Sequence, residues 1–119
     1  MPLVIINGAI VSDCDELGSW GAPTALTIAS GVITVTGPGF YEIDTETAAA
    51  TDDLDTISGG SEGDVAIFKI ADDARDVVFK HGTDNLDLID LDVTLDVTEE
   101  RVQLQKTAAG TWVPFESRP

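Results

Sequence analysis

The chain has 119 residues, of which 43% are hydrophobic, and its 22 acidic and 6 basic residues give a formal net charge of −16. This hydrophobic content supports one folded domain and excludes a disordered acidic tail. The charge repels phosphate groups, so neither nucleic acid nor a membrane surface is an expected partner. We expect most of the charge to lie on a solvated surface, with a cation site or a basic protein partner as the sharper alternative.

The N-terminal residues 1–12 are predicted to form a strand or arm, followed by a single β domain over residues 13–119. The run from Leu3 to Val11 is apolar except for Asn7-Gly8, a pair that suits either a hairpin turn or a bulge. It lacks the basic start of a signal peptide and the length of a membrane helix. We expect a strand of the main sheet or an arm on a neighbouring molecule, with these candidate partner contacts: Leu3, Val4, Ile5 and Ile6.

The next segment, Ser12 to Pro23, combines acidic residues, glycines and a proline, which is typical of a loop. Leu17 and Trp20 are expected to hold this loop on the core, and Trp20 is also a candidate partner contact. Cys14 is the only cysteine in the chain, so no intrachain disulfide and no zinc site of several cysteines can form.

Two β-branched runs follow, Thr24–Ala29 and Val32–Thr36, separated by Ser30-Gly31. This arrangement predicts a hairpin. Gly37-Pro38-Gly39 then breaks the chain, and Phe40–Ile43 resumes it as a strand.

The alternating pattern fails between residues 44 and 64, which we interpret as a long connection with one helical turn that directs Leu54 and Ile57 toward the core. This connection also holds clustered carboxylates, the ligands that calcium prefers. The twelve-residue calcium loop is absent, so we predict no metal site and keep calcium as an alternative. The candidate ligands are Asp52, Asp53 and Asp55.

The segment Val65–Ile70 is almost continuously apolar, which predicts a central strand. In Leu91–Val97 every second residue is apolar, as in a strand with one buried face. Leu86 and Leu88 have the opposite parity, so the chain must change face near Leu88-Ile89 through a bulge or corner.

About ten short strands at regular spacing predict an all-β fold, a single small antiparallel β-sandwich or jelly-roll-like domain. No catalytic residue is predicted, because His81 is the only histidine and no base or nucleophile is spaced to pair with it. Gly59–Gly63 lacks the lysine of a phosphate-binding loop, so it is interpreted as a turn. No cofactor is predicted.

Several segments of the second half are distinctive in their order and spacing: Asp52–Asp64, Arg75–Leu86, Val93–Asp96, Val102–Leu104 and Gly110–Phe115. Together they resemble a β-rich module common in structural proteins of tailed bacteriophages, in tail fibres or spikes and in small stand-alone virion proteins. The resemblance covers about residues 33–115.

This resemblance implies a non-enzymatic virion component that forms a homotrimer. For a short acidic chain it implies a head decoration or cement protein, made in the host cytoplasm, that binds the major capsid protein on the capsid exterior. The N-terminal arm would then add a strand to a neighbour. The alternative is a tail-fibre or spike module that recognises a host glycan through Trp20, Tyr41 or Trp112; both tryptophans are also candidate partner contacts.

Overall fold

A computed structural model describes residues 3–6, 9–12, 22–89 and 91–114, the first two ranges as backbone only. These ranges contain one 3₁₀ turn, Glu46–Ala48, and no helix long and apolar enough to cross a membrane. The prediction of an all-β fold is confirmed. The strands are β1 Leu3–Ile6, β2 Ala9–Ser12, β3 Thr24–Thr27, β4 Val32–Val35, β5 Gly39–Asp44, β6 Thr51–Leu54, β7 Thr56–Gly59, β8 Val65–Ile70, β9 Asp76–Phe79, β10 Val93–Leu95, β11 Val102–Lys106 and β12 Trp112–Pro114.

The strands form three sheets around one core. The seven-stranded sheet has the order β1-β2-β11-β8-β5-β3, with β12 also paired to β11. The three-stranded sheet has the order β10-β9-β6, and β4 pairs with β7 in a two-stranded sheet. All three sheets contribute to the same cluster of buried side chains, so they enclose a single hydrophobic core.

The chain passes through the three sheets twice in the same order. Strands β4, β5 and β6 form a first coil, and β7, β8 and β9 form a second coil that lies parallel to it. The paired residues are 24, 27 and 25 positions apart, as in Val32 with Thr56, Gly39 with Ala66 and Thr51 with Asp76. This is the winding of a two-coil β-solenoid, a way for a small β protein to leave few free strand edges.

The prediction of a purely antiparallel domain is therefore wrong, because four strand pairs are parallel, β3 with β5 and the three pairs between the coils. The reason lies in the corners. Asp55 alone separates β6 from β7, and the N–H groups of Asp55 and Thr56 both donate to the carbonyl oxygen of Gly31 at 2.8 and 3.1 Å. A one-residue corner directs the chain into another sheet instead of back along the same one.

Two local predictions are corrected by the way the chain passes from one sheet to the next. The turn predicted at Ser30-Gly31 is confirmed, since Ala29 and Val32 exchange both of their N–H···O=C bonds at 3.0 and 3.1 Å in an antiparallel bridge. The prediction that this turn joins two paired strands is wrong, because β3 and β4 lie in different sheets. The long connection over residues 44–64 contains β6 and β7 instead of a helical turn beyond the 3₁₀ segment. Its core contacts are confirmed, because Leu54 and Ile57 are both fully buried.

The predicted change of face near Leu88-Ile89 is confirmed. Leu86, Leu88, Val93 and Leu95 are all buried, and Ile89 lies between the two pairs with a φ of 80° and 53% of its surface exposed. Left-handed backbone is rare for a β-branched residue, so Ile89 marks an abrupt corner. The strand that follows is shorter than predicted, since it spans only Val93–Leu95. Leu91 and Val97, which the alternation places on its buried face, lie beyond the ends of this strand and are 55% and 40% exposed.

The far side of the second coil is covered on each of its three sheets. Strand β10 lies antiparallel on β9, and β11 lies antiparallel on β8. On β7, the side-chain amide of Asn85 takes the place of a strand: its Oδ1 accepts from the N–H of Ile57 at 3.0 Å, and its Nδ2 donates to the Ile57 carbonyl at 2.7 Å. A side-chain amide can do this because it carries the same donor and acceptor as a peptide group.

Replacing Asn85 by alanine is expected to lower the free energy of unfolding by about 2–3 kcal/mol, since both polar groups of the buried Ile57 lose their partner. Urea unfolding of the purified variant measures this loss. The exposed Thr83 of the same turn provides the control Thr83→Ala, for which we expect a change within about 0.5 kcal/mol. Equal losses in the two variants would contradict the covering role of Asn85.

Candidate functional site

The most distinctive surface of the protein is one without charge. No Asp, Glu, Lys or Arg occurs from Leu17 to Tyr41, although the chain as a whole carries 28 such residues. The described part of this stretch, residues 22–41, forms β3, β4 and the start of β5. We call the exposed part of residues 22–41 the uncharged surface.

The uncharged surface includes the edge of the seven-stranded sheet. On β3, Thr24, Ala25 and Thr27 are exposed, while Leu26 packs partly against the core. Among the described residues no strand pairs with the outer edge of β3, and β7 is the only strand that pairs with β4, whose first residue, Val32, also bridges to Ala29. These strands therefore present unpaired backbone groups, which are ready acceptors for a further strand.

The edges of natural sheets are commonly protected by charged side chains. Strand β6, the edge of the three-stranded sheet, follows this rule with Asp52 and Asp53. The edge strands β3 and β4 carry no charge at all. At this end of the protein, the edge of β6 is therefore protected by charge, whereas the edges of β3 and β4 are not.

A groove of about 470 Å³ lies within the uncharged surface, between the start of β3 and the corner that joins β4 to β5. The Tyr41 hydroxyl fixes one wall, since it accepts from the N–H of Thr36 at 3.2 Å and donates to the Gly37 carbonyl at 2.7 Å. These bonds close the glycine corner between β4 and β5, so the wall is held in place. The groove is lined by Ala22, Thr24, Thr36, Pro38, Gly39, Phe40 and Tyr41.

Charged residues resume at the border of this surface, where they are paired. Lys69 binds Glu42 at 2.9 Å, and Arg75 binds Asp44 at 2.7 Å. The Arg101 guanidinium lies 5.4 Å from the centre of the Phe40 ring, a distance at which a cation is attracted to the ring face. The uncharged surface is therefore bounded by ion pairs and by one arginine.

The prediction of Trp112 as a partner contact or sugar platform is contradicted by the structure, because its side chain is fully buried. The ring packs against Gly60, where an added Cβ would lie 3.1 Å from Trp112 Cζ2. Tyr41 is only 3% exposed, so its ring is also unavailable to a sugar. Both aromatic residues serve the core instead of a surface.

The predicted partner contacts Leu3, Val4, Ile5 and Ile6 form β1. This strand pairs antiparallel with β2, with Leu3 opposite Ser12 and Ile6 opposite Ala9. Strand β2 joins the main sheet through Ile10 opposite Gln103 of β11. Of the two alternatives for this run, the structure shows the strand of the main sheet; Trp20 and the Asn7-Gly8 pair lie outside the described residues.

The calcium candidates Asp52, Asp53 and Asp55 occupy β6 and the corner after it. Asp52 Oδ2 accepts from the N–H of Glu46 at 2.8 Å, so it serves the 3₁₀ turn. Within the described ranges, no three or more His, Cys, Asp or Glu side chains are grouped so that they could hold a metal ion.

One ion pair lies beside the covered end of the second coil. Lys80 Nζ is 2.9 Å from Asp92 Oδ2, and Asp92 Oδ1 accepts from the N–H of His81 at 2.8 Å. The hydrogen bond from Lys80, followed by that from His81, lowers the pKa of Asp92. The same bond to Asp92 raises the pKa of Lys80.

These directions predict how stability depends on pH. Because the folded pKa of Asp92 lies below its unfolded value, its contribution is full above the unfolded value and is lost as pH falls through the folded one. Asp92→Asn is therefore expected to flatten the fall of the melting temperature as pH drops through the acid range, whereas the exposed control Glu62→Gln keeps it. An unchanged acid slope in Asp92→Asn would contradict this role.

No family model, curated protein or solved structure matches this chain. The sequence predictions missed the uncharged surface, although its signal, a long stretch without charge in a strongly acidic chain, is readable in the sequence.

Proposed function

We propose that this chain is a non-enzymatic structural protein of a tailed-bacteriophage virion, a head decoration protein that binds and stabilises the capsid lattice from outside. It forms a homotrimer and contacts the major capsid protein. The observation that carries the proposal is the uncharged surface, which is exposed on a protein of net charge −16 and includes unprotected strand edges.

The two ends of the solenoid support this proposal by their contrast. The end at the second coil is covered by β10, β11 and Asn85, so its backbone groups are largely satisfied within the chain. At the other end, β3 and β4 present edges without described partners. The centres of protein interfaces are depleted of charged residues, and the uncharged surface has that composition.

For the fold, we propose a sandwich-like arrangement in which the seven-stranded sheet is one layer and the two smaller sheets form the other. The shared core cluster supports this arrangement. The parallel pairs between the coils count against jelly-roll connectivity, which is antiparallel.

The decoration role is preferred to glycan recognition by a tail fibre. Stacking on a sugar ring needs an exposed aromatic face, and Trp112 and Tyr41 are both buried. Phe40 is partly buried and carries Arg101 on its ring. The described residues therefore offer no free platform among the predicted aromatic candidates.

The copy number in purified particles tests the decoration role. A mass-resolved gel is expected to show hundreds of copies of this chain per particle, as a lattice-binding protein requires. A handful of copies per particle would overturn the role in favour of a tail component.

The binding surface is tested by a matched pair of variants that each add one negative charge. Ala25→Asp places the charge on the exposed edge β3, and Thr94→Asp places it on exposed β10. In sedimentation with capsids that lack the protein, Ala25→Asp is expected to lose at least tenfold in affinity and Thr94→Asp to bind normally. Equal binding of two folded variants would contradict the assigned surface.

A further inference from the structure

The seven-stranded sheet has an uncharged strand at each of its two ends. Strand β1 is Leu-Val-Ile-Ile and lies at one end, and β3 is Thr-Ala-Leu-Thr and lies at the other. Each strand is four residues long. Among the described residues, β1 pairs only with β2, and β3 pairs only with β5.

We propose that β1 of one copy pairs with the outer edge of β3 of a second copy, so that the seven-stranded sheet continues from one molecule into the next. This inference rests on the self-association included in the proposed function. Backbone hydrogen bonds between the two strands join the copies.

Electrostatics favours the uncharged edges β1, β3 and β4 over the acidic ones for contact between copies, and of these three only β1 and β3 are the two end strands of one sheet. At a net charge of −16, two copies repel each other in most orientations. The three-stranded sheet ends in β6, which carries Asp52 and Asp53, and in β10, which is flanked by Asp92 and Asp96. Pairing two such edges would bring like charges together, whereas β1 and β3 meet without that cost.

The occupant of the β3 edge is a second copy, because this chain itself supplies a matching strand. The strand β1 is uncharged, has the same length as β3 and lies at the opposite end of the same sheet. Because different surfaces of the two copies meet, the contact is heterologous and repeats from copy to copy. A closed ring such as a trimer would leave neither edge free, while an unclosed arrangement would give a filament.

Cysteine cross-linking tests the contact directly. All variants carry Cys14→Ser, which removes the natural cysteine. Chains with Val4→Cys are mixed with chains that carry either Ala25→Cys or Leu26→Cys. These two positions lie on opposite faces of β3, so one of them matches the face of Val4. A disulfide needs Cα atoms about 4.4–6.8 Å apart, so only adjacent strands are joined efficiently. After mild oxidation we expect a covalent dimer from one of these mixtures. The control mixtures pair Val4→Cys with Asp53→Cys on β6 or with Thr94→Cys on β10, and they are expected to stay uncoupled.

A second arm measures assembly in solution by light scattering. The unmodified chain is expected to exceed its monomeric mass of 12.5 kDa, while Ala25→Asp or Thr24→Lys shifts the mass to that of a monomer and Thr94→Asp does not. Circular dichroism and urea unfolding establish that each variant is folded. The cross-linking arm uses near-neutral substitutions, so it decides the question even where an added charge unfolds the chain.

The outcomes separate this inference from the proposed function. An oligomer that forms without β1–β3 cross-links would overturn the inference and leave self-association standing. A monomer at every concentration tested would overturn both the trimer and the inference. Neither result alters the copy number in particles, which tests the virion role on its own.

Discussion

Replacing Gly59 by alanine is expected to remove most of the folding stability of this protein. Gly59 ends β7 with a φ of 85°, and a Cβ built on it would collide with the carbonyl oxygen of Val35 on β4. That oxygen belongs to the parallel pairing of the two coils, so it cannot withdraw without separating them. We expect a loss of about 4 kcal/mol or more, a large part of the stability of a small domain.

The matched control is Gly63→Ala. Gly63 has a similar φ of 91°, but no atom of the described part of the chain lies within 4 Å of its added Cβ. Alanine there bears only the cost of left-handed backbone, about 1–2 kcal/mol. Urea unfolding measures the loss of stability in both variants. The difference between the two losses is the cost of the collision with Val35, without the cost of left-handed backbone that both variants share. Similar losses in Gly59→Ala and Gly63→Ala would contradict the close approach of the two coils at Val35.

The second large effect is expected for Trp112→Ala, with a loss of about 3–5 kcal/mol in the free energy of unfolding. Trp112 has the largest of the fully buried side chains and belongs to the shared core cluster. Its removal leaves a cavity beside Gly60, against which the ring packs. Equilibrium unfolding in urea, followed by circular dichroism, measures the loss.

The variant Trp112→Phe tests which property of the indole matters. Trp112 Nε1 is buried and has no hydrogen-bond partner among the described residues, so we expect phenylalanine to lose volume but no hydrogen bond. We expect it to lose clearly less stability than Trp112→Ala. Should Trp112→Ala change stability by less than about 1 kcal/mol, the core position of this residue would be wrong.

These two positions also separate stability from assembly. Gly59 and Trp112 lie inside the fold, whereas Ala25 and Thr24 lie on the exposed edge β3. Substitutions at Gly59 and Trp112 are expected to lower stability in urea unfolding of the isolated chain. Substitutions at Ala25 and Thr24 are expected to weaken capsid binding or to lower the mass of the assembly in solution, with little change in urea unfolding.

The strength of self-association is expected to depend on salt concentration. At about 0.15 M ionic strength, charges are screened over roughly 8 Å, so repulsion between copies weakens as salt rises. A contact made by uncharged strands keeps its backbone hydrogen bonds under the same conditions. The proposed β1–β3 contact should therefore strengthen with salt, opposite to an interface held by ion pairs.

Several features of the fold follow from the sequence alone. Period-two alternation identifies Val93 and Leu95 as buried, and the change of parity identifies the corner at Ile89. Leu54 and Ile57 are also correctly placed in the core, even though they lie on strands and not on the predicted helical turn. These inferences succeed because burial is a property of each residue and its near neighbours, and alternation records it directly.

The sequence by itself thus determined that the protein is all-β, which residues are buried along most strands, and that its surface is acidic. Only the tertiary structure decided strand direction, because the paired residues lie 24 to 27 positions apart and no local sequence pattern records their pairing. It also decided that Trp112 belongs to the core and that β3 is an open edge. Core and interface use the same apolar residue types, so only the positions of the neighbouring strands distinguish them.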